Sequence, residues 1–216
     1  MYSGGNLGMI QNNITIGITG SIGTGKSTVS KYLVSKGYVV IDADQISKDI
    51  YYIGSEAYIA LVQKFGQEIL DVDNKIDRTK LKKIVFSDKI KLEILNRIVH
   101  PIIVREIENQ KKYHLSSNCI VFLDAALLIE TGLSKSVDKI ILVTCNEEVQ
   151  IERIIARDNI SVNFAKKIIE KQMPTIEKLK HADYVLKNDV SVSSLHNKID
   201  EILIQIEKGN LNVEIK

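Results

Sequence analysis

Apolar residues occur along this chain in two patterns, short unbroken runs and longer stretches in which they recur every three or four positions. The unbroken runs lie at 14–18, 38–41, 119–123, 139–144 and 184–186. Strands covered on both faces of a parallel sheet have such runs, because neither face alternates with solvent. Helical stretches separate the runs. The chain is therefore predicted to be an α/β protein with a mostly parallel sheet covered on both sides.

Helical periodicity continues through 45–115 without a clear strand. Its apolar faces include Ile59, Leu61, Val62, Phe65, Leu81, Ile84, Val85, Leu92, Leu95 and Ile98. Residues 71–75 are predicted to form a loop. Pro101 is predicted to break the pattern and start a helix, since proline restrains the residue before it and fits a first helical position. His100 is then either structural at that helix start or a contact to a bound phosphate or sugar. A closing amphipathic helix is predicted over 193–208.

A glycine-rich segment, Gly20-Ser21-Ile22-Gly23-Thr24-Gly25-Lys26-Ser27, joins the first apolar run to a helix-patterned stretch. It fits G-x-x-x-x-G-K-S/T in the strand-turn-helix context that this phosphate-binding motif requires. The glycines permit positive φ, and the backbone N–H groups and the helix N-terminus favour an anion. Lys26 is predicted to reach the β- and γ-phosphates, and Ser27 to bind Mg²⁺. The predicted nucleotide contacts are Ser21, Ile22, Gly23, Thr24, Gly25, Lys26, Ser27 and Thr28.

Carboxylates follow two of the predicted strands, at the end where parallel α/β sheets bind ligands. Asp42 and Asp44 come after the second run, and Asp124 comes after the third. We expect one of Asp42 and Asp44 to face the site and the other to cap the next helix, the alternative being that both are caps. Asp124 either lies in the Mg²⁺ shell, as in P-loop proteins, or starts a helix cap.

Arg153 and Arg157 are four residues apart and share one face of a predicted helix. Two guanidinium groups on one face suit a polyphosphate, because each donates two hydrogen bonds and stays charged. The basic segment continues with Lys166, Lys167, Lys171 and Lys178. The alternative is a solvated charged face.

The composition excludes some classes of function. With 29 basic and 27 acidic side chains in 216 residues, the net charge of +2 does not predict a nucleic-acid partner. No apolar run is long enough to span a membrane, and 1–13 lacks the features of a signal peptide and is predicted to be a flexible leader. Cys119 and Cys145 are predicted to be buried free thiols, which indicates a reducing compartment and a cytoplasmic protein.

Two classes of nucleotide-binding protein fit the glycine-rich segment, a small-molecule kinase and a nucleotide-dependent switch or binding module. N-K-x-D occurs at 74–77 and at 197–200, but both copies lie in helical regions instead of after a sheet strand, and D-x-x-G is absent. A kinase needs an acid near the acceptor and cations over the transferred phosphoryl group, which Asp44 or Asp42, Lys26 and the two arginines can supply. The kinase is favoured.

Several motifs follow one another in the order found in one family. They are 19–28 (TGSIGTGKST), 40–44 (VIDAD), Asp77-Arg78 with Leu81 and 85–86, His100-Pro101, 124–130 (DAALLIE), Gln150 with Arg153, Arg157 and Asp158, and Gln172 with Lys178, 182–183 and Asn188. From about residue 14 to residue 206, the chain resembles the dephospho-coenzyme A kinases.

The resemblance implies a three-layer α/β/α P-loop kinase that uses ATP and Mg²⁺. It implies a core of 14–44, 116–145 and 177–208, a helical substrate-binding insertion at 45–115, a lid at 146–176 and a C-terminal tail at 209–216. The implied reaction transfers the γ-phosphoryl group of ATP to the ribose 3′-hydroxyl of dephospho-coenzyme A, the last step of coenzyme A biosynthesis. The partners implied are these two small molecules, with no nucleic acid and no membrane, for a monomer or weak oligomer.

The resemblance also implies roles for single residues. Asp44 is the expected general base, with Asp42 the reserve candidate. Arg153 and Arg157 stabilise charge as the lid closes. The implied acceptor contacts are Asp42, Asp44, Arg78, His100 and Leu127, the metal contacts are Ser27 and Asp124, and Asn188 helps to hold adenine.

Three positions depart from the family pattern. Lys48 stands where the family commonly has arginine and loses a bidentate contact. Ala126 replaces a proline, and Asp189 replaces a glycine. These departures leave a related acceptor, such as a nucleoside monophosphate, as the alternative substrate.

Overall fold

A computed structural model describes residues 13–208. The predicted leader, except Asn13, and the predicted tail at 209–216 lie outside the described residues. Five strands form one sheet: β1 (Ile14–Gly20), β2 (Val39–Asp42), β3 (Ile120–Asp124), β4 (Lys139–Thr144) and β5 (Tyr184–Lys187). Their order is β2-β3-β1-β4-β5, and each neighbouring pair is parallel. The predicted α/β fold with a parallel sheet is confirmed.

Helices connect the strands and cover both faces of the sheet. They are α1 (Lys26–Ser35), α2 (Ala43–Asp49), α3 (Glu56–Phe65), α4 (Arg78–Phe86), α5 (Lys89–Leu115), α6 (Glu147–Asp158), α7 (Val162–Glu170), α8 (Thr175–Leu179) and α9 (Val192–Glu207), with short 3₁₀ turns at Gln67–Ile69 and Leu133–Ser136. In the described part of the chain, no helix has both the length and the apolarity needed to cross a bilayer.

Alternate residues of β3 point into two separate apolar cores. Phe122 packs in a core with residues of α1 and α9, whereas Val121 and Leu123 pack in a core with residues of α2 to α5. Successive side chains of a strand face opposite sides of the sheet, so these two cores lie on its two faces. This is the expected three-layer arrangement.

Pro101 does not start a helix, so that prediction was wrong. The α5 helix runs unbroken from Lys89 to Leu115, with Pro101 inside it and His100 in its middle. A proline in a helix interior removes a hydrogen bond and costs about 3 kcal/mol. Val99 and Ile107 are buried on either side of it, and we infer that their packing against the core outweighs this cost.

One prediction about burial was also wrong. Cys119 and Cys145 are free thiols, as expected, but both are only half-buried. In the basic segment, the alternative of a solvated charged face does not hold for Lys178, because its side chain is fully buried and lies 2.7 Å from a carboxylate oxygen of Glu130.

Candidate functional site

The site lies at the edge of the sheet where β1, β2 and β3 end. In this sheet Ile18 of β1 lies opposite Asp124, and Asp42 of β2 lies opposite the same residue. Because the three strands are parallel, their carboxyl ends bring the glycine-rich segment 20–27, called here the phosphate loop, next to the carboxylates.

The carbonyl groups of the phosphate loop are bound by the protein. The Ser21 carbonyl accepts bonds from the backbone and hydroxyl of Thr24, at 3.2 and 2.8 Å. The Thr24 carbonyl accepts a bond of 2.9 Å from Asn188 Nδ2. Within residues 13–208, by contrast, the N–H groups of Gly23, Gly25, Lys26 and Ser27 have no acceptor. The Thr24 carbonyl and the Gly25 N–H belong to one trans peptide unit and point in opposite directions, so the bond from Asn188 leaves the Gly25 N–H free for an anion.

Backbone conformation requires glycine at two positions of the loop. Gly23 has φ of 78° and Gly25 has φ of 96°, values that residues with a side chain rarely adopt. A Cβ on Gly25 would also lie 2.1 Å from Asn188 Nδ2. The close approach of Asn188 is therefore possible only with glycine here.

Lys26 lies between two carboxylates. Its ammonium group is hydrogen-bonded to Asp124 and is 3.6 Å from Asp44 Oδ2. Asp124 also accepts a bond of 2.6 Å from the Ser30 hydroxyl. The arrangement places a cation, a buried acid and a half-exposed acid at one point beside the loop.

Asp42 and Asp44 have different environments. Asp42 is the N-cap of α2 and accepts a bond of 2.8 Å from the Gln45 N–H. Asp44, in the first turn, has 49% of its side chain exposed beside Lys26. This is the expected division between a cap and a residue that faces the site.

Ser27 and Asp124 are suitable oxygen ligands for Mg²⁺. Ser27 is exposed at the start of α1, and Asp124 lies at the end of β3. Mg²⁺ is commonly held by one or two protein oxygens, with phosphate oxygens and water completing the octahedron. Among the described residues, no group of three or more His, Cys, Asp or Glu side chains could hold a metal alone. Phosphate oxygens of a nucleotide, together with water, would complete the coordination around Ser27 and Asp124.

The two arginines of α6 differ in position. Arg153 Nη1 is 3.5 Å from the Thr24 carbonyl, so this guanidinium group touches the phosphate loop. Arg157 instead makes two bonds of 2.8 Å to Asp158 and is largely exposed. This hydrogen bond lowers the pKa of Asp158 from its usual value. The structure thus brings Arg153, but not Arg157, to the loop.

The predicted acceptor contacts are spread over three elements. His100 on α5 bonds the Thr131 carbonyl at 3.0 Å, and the Thr131 hydroxyl donates to the Leu127 carbonyl at 2.7 Å. Leu127 has half of its side chain exposed. Arg78 starts α4 and lies over the Tyr51 ring, 6.0 Å from its centre. His100 and Leu127 are therefore connected through Thr131.

Sequence reasoning missed the residues that support the loop from a distance. The amide of Asn188, predicted to hold adenine, is bonded to Thr24, and the adenine contact stays a prediction. Gln150 and Gln172, which matched family motifs without an assigned role, both contact Ile22. Asp189, one of the three departures, accepts a bond from the Asn146 N–H. Only the ordered family motifs indicated these glutamines, because their contacts join distant parts of the chain.

Comparison with known proteins shows the family to which the chain belongs. The family model described as Dephospho-CoA kinase matches residues 14–194. The chain belongs to the dephospho-CoA kinase family. A dephospho-CoA kinase from Fusobacterium nucleatum is 44% identical over 188 residues, which cover 86% of this chain and 94% of that protein.

Two solved structures also resemble the chain closely. A dephospho-CoA kinase from Campylobacter jejuni has a TM-score of 0.71 and 31% identity, covering 91% of this chain and 98% of that one. A structure from Thermus thermophilus has a TM-score of 0.78 and 32% identity, covering 90% and 98%. The dephospho-CoA kinase family match includes the phosphate loop, Arg153, Arg157 and Asn188.

Proposed function

We propose that this chain phosphorylates the ribose 3′-hydroxyl of dephospho-coenzyme A with ATP, giving coenzyme A and ADP. The observation that carries the proposal is the half-exposed Asp44 carboxylate, 3.6 Å from Lys26 at the phosphate loop. A kinase of this family needs an acid next to the cation that holds the donor phosphates. Family membership identifies the acceptor class.

The donor side follows from the loop. The free N–H groups of Gly23, Gly25, Lys26 and Ser27 would bind phosphate oxygens, and Lys26 would exchange Asp124 for the β- and γ-phosphates. Ser27 and Asp124 would hold Mg²⁺, which when bound neutralises charge on the transferred group. Arg153 would stabilise the same charge from the lid, and Arg157 would join it on leaving Asp158.

On the acceptor side, Asp44 would accept the proton of the ribose 3′-hydroxyl. The 3′-oxygen would form the new bond to phosphorus at the same time. The bond between phosphorus and the ADP oxygen breaks at the same centre. Asp42 is less suited to this role because its carboxylate caps α2. Arg78, His100 and Leu127 would contact other parts of the acceptor.

The proposal includes the division into a core, an acceptor-binding insertion at 45–115 and a mobile lid at 146–176. It also includes ATP as the donor, no nucleic-acid or membrane partner, a monomer or weak oligomer, and a place in the cytoplasm.

The test is an ADP-release assay on the purified protein with dephospho-coenzyme A, coenzyme A, AMP, CMP or no acceptor. We expect turnover only with dephospho-coenzyme A. Turnover only with AMP or CMP would make the chain a nucleoside monophosphate kinase. ATP binding without turnover on any acceptor would support a binding module instead.

A further inference from the structure

Both polar groups of the Ile22 backbone are held by glutamine side chains from the predicted lid. Its N–H donates to Gln172 Oε1 at 2.8 Å, and its C=O accepts from Gln150 Nε2 at 2.6 Å. Gln150 lies in the first turns of α6, and Gln172 lies just beyond α7. The two ends of the helical pair α6–α7 therefore meet at one residue of the phosphate loop.

We propose that Gln150 and Gln172 are positioning residues that join the base of the lid to the phosphate loop and orient it for the donor nucleotide. Gln150, Gln172 and Ile22 together are called here the Ile22 clamp. This inference rests on the proposed function, because the nucleotide is the phosphoryl donor of that reaction.

The polarity of the clamp assigns a different task to each glutamine. A backbone N–H can only donate and a carbonyl can only accept, so Gln172 must present its oxygen and Gln150 its nitrogen. A glutamine amide carries both groups on one short, uncharged side chain. Methionine has a similar size but cannot replace either bond.

The Gln150 bond also orients a free donor. The carbonyl of Ile22 and the N–H of Gly23 belong to one peptide unit, in which they point in opposite directions. Holding the carbonyl against α6 turns the Gly23 N–H the other way, and this N–H has no acceptor within residues 13–208. Without Gln150, the peptide can rotate and present its carbonyl oxygen to the phosphates, where it repels them.

Close packing connects the same helix to the loop. A Cβ on Gly23 would lie 2.9 Å from the Gln150 carbonyl oxygen and 3.2 Å from its Cγ. Gln150 is also 6% exposed. Gln150, Arg153 and Arg157 occupy one face of α6. Holding Gln150 at the loop therefore fixes the position of the helix backbone from which both arginine side chains extend.

The first test removes each bond with Gln150→Met and Gln172→Met. The matched control is Gln63→Met on the exposed surface of α3. Each change leaves one polar group of the Ile22 backbone without its partner. We expect this loss to weaken Mg-ADP and Mg-ATP binding by about tenfold or more in calorimetry. We expect the KM for the acceptor to change much less than the nucleotide affinity. The melting temperature should stay close to that of wild type. Unchanged nucleotide affinity in both variants would overturn the proposal.

The second test uses the polarity of the clamp. Gln172→Glu keeps an acceptor for the Ile22 N–H, whereas Gln150→Glu loses the donor and places a carboxylate against the Ile22 carbonyl. Both add the same charge beside the loop. We expect Gln150→Glu to lose about tenfold more nucleotide affinity. Equal losses, or a larger loss in Gln172→Glu, would contradict the assigned bonds.

Nucleotide binding is measured without an acceptor, so the two proposals fail separately. If wild type does not phosphorylate dephospho-coenzyme A but the Gln150 variants lose Mg-ATP affinity as expected, only the proposed function is wrong. If wild type is active and the variants bind normally, only the clamp is wrong.

Discussion

The buried ion pair between Lys178 and Glu130 should contribute strongly to the stability of the protein. It joins α8 to the segment that follows β3, with 2.7 Å between Lys178 Nζ and Glu130 Oε1. The Lys178 side chain is fully buried, and 21% of the Glu130 side chain is exposed. Lys178→Met removes the cation while keeping the length of the side chain, and it leaves the Glu130 carboxylate without its partner.

The expected loss follows from the burial of the two side chains. Removing one partner of a buried pair costs about 3–5 kcal/mol. Water can reach the exposed part of Glu130, so we expect about 2–4 kcal/mol. For a chain of this size, 1 kcal/mol lowers the melting temperature by about 2–4 °C, so Lys178→Met should lower it by about 4–16 °C in thermal denaturation followed by circular dichroism.

Two further variants separate the ion pair from other effects of the substitution. Lys178→Met combined with Glu130→Gln leaves no unpaired charge and should recover at least half of the loss. Lys180→Met breaks a pair with Glu177 at the same 2.7 Å, but both of those side chains are largely exposed. It should cost less than about 1 kcal/mol. If Lys178→Met melts like wild type, or the double variant is no better than the single one, the reasoning is refuted.

Three further predictions concern the site. Asp44→Asn should lower kcat by at least about 10²-fold while ATP affinity in calorimetry stays close to wild type, because a positioned base contributes about 10²- to 10⁴-fold; near-normal kcat would remove Asp44 from the mechanism. Arg157→Ala should lower kcat for ATP turnover without lowering the melting temperature, since among residues 13–208 its side chain pairs with Asp158 alone; unchanged turnover would show that Arg157 has no lid role. Gly25→Ala should abolish tight Mg-ATP binding. The control is Gly37→Ala, which should retain it, because Gly37 has a similar φ of 89° but open space around it. Equal affinities of the two variants would mean that the contact with Asn188 does not matter.

The sheet and the phosphate loop could be predicted from the sequence because their signals are local. The run Lys139–Thr144 has the same bounds as β4. The context of the glycine-rich segment was also readable, since a strand ends at Gly20 and a helix begins at Lys26. These features depend on neighbouring residues, which a pattern along the chain records directly.

Features that depend on distant partners could not be predicted in this way. Pro101 is a helix breaker by local rules, but the packing of α5 overrides them. The sequence does not distinguish Lys178 from the other lysines of the basic segment, because its partner Glu130 comes next to it only in the fold. Which of Asp42 and Asp44 becomes the cap depends on where β2 ends and α2 begins, and no boundary estimate from sequence places that to a single residue.

The phosphate loop is therefore local in sequence but not in its geometry. Its carbonyls are turned away from the anion site by Gln150 and Asn188, which come from two later parts of the chain. The motif alone specifies glycines that permit this shape, and glycine also permits many others. A peptide with the sequence of residues 20–27 would lack both amide partners, so it should bind phosphate only weakly. In this protein the remote amides select one conformation before the nucleotide arrives, and we expect part of the donor affinity to come from this preorganisation.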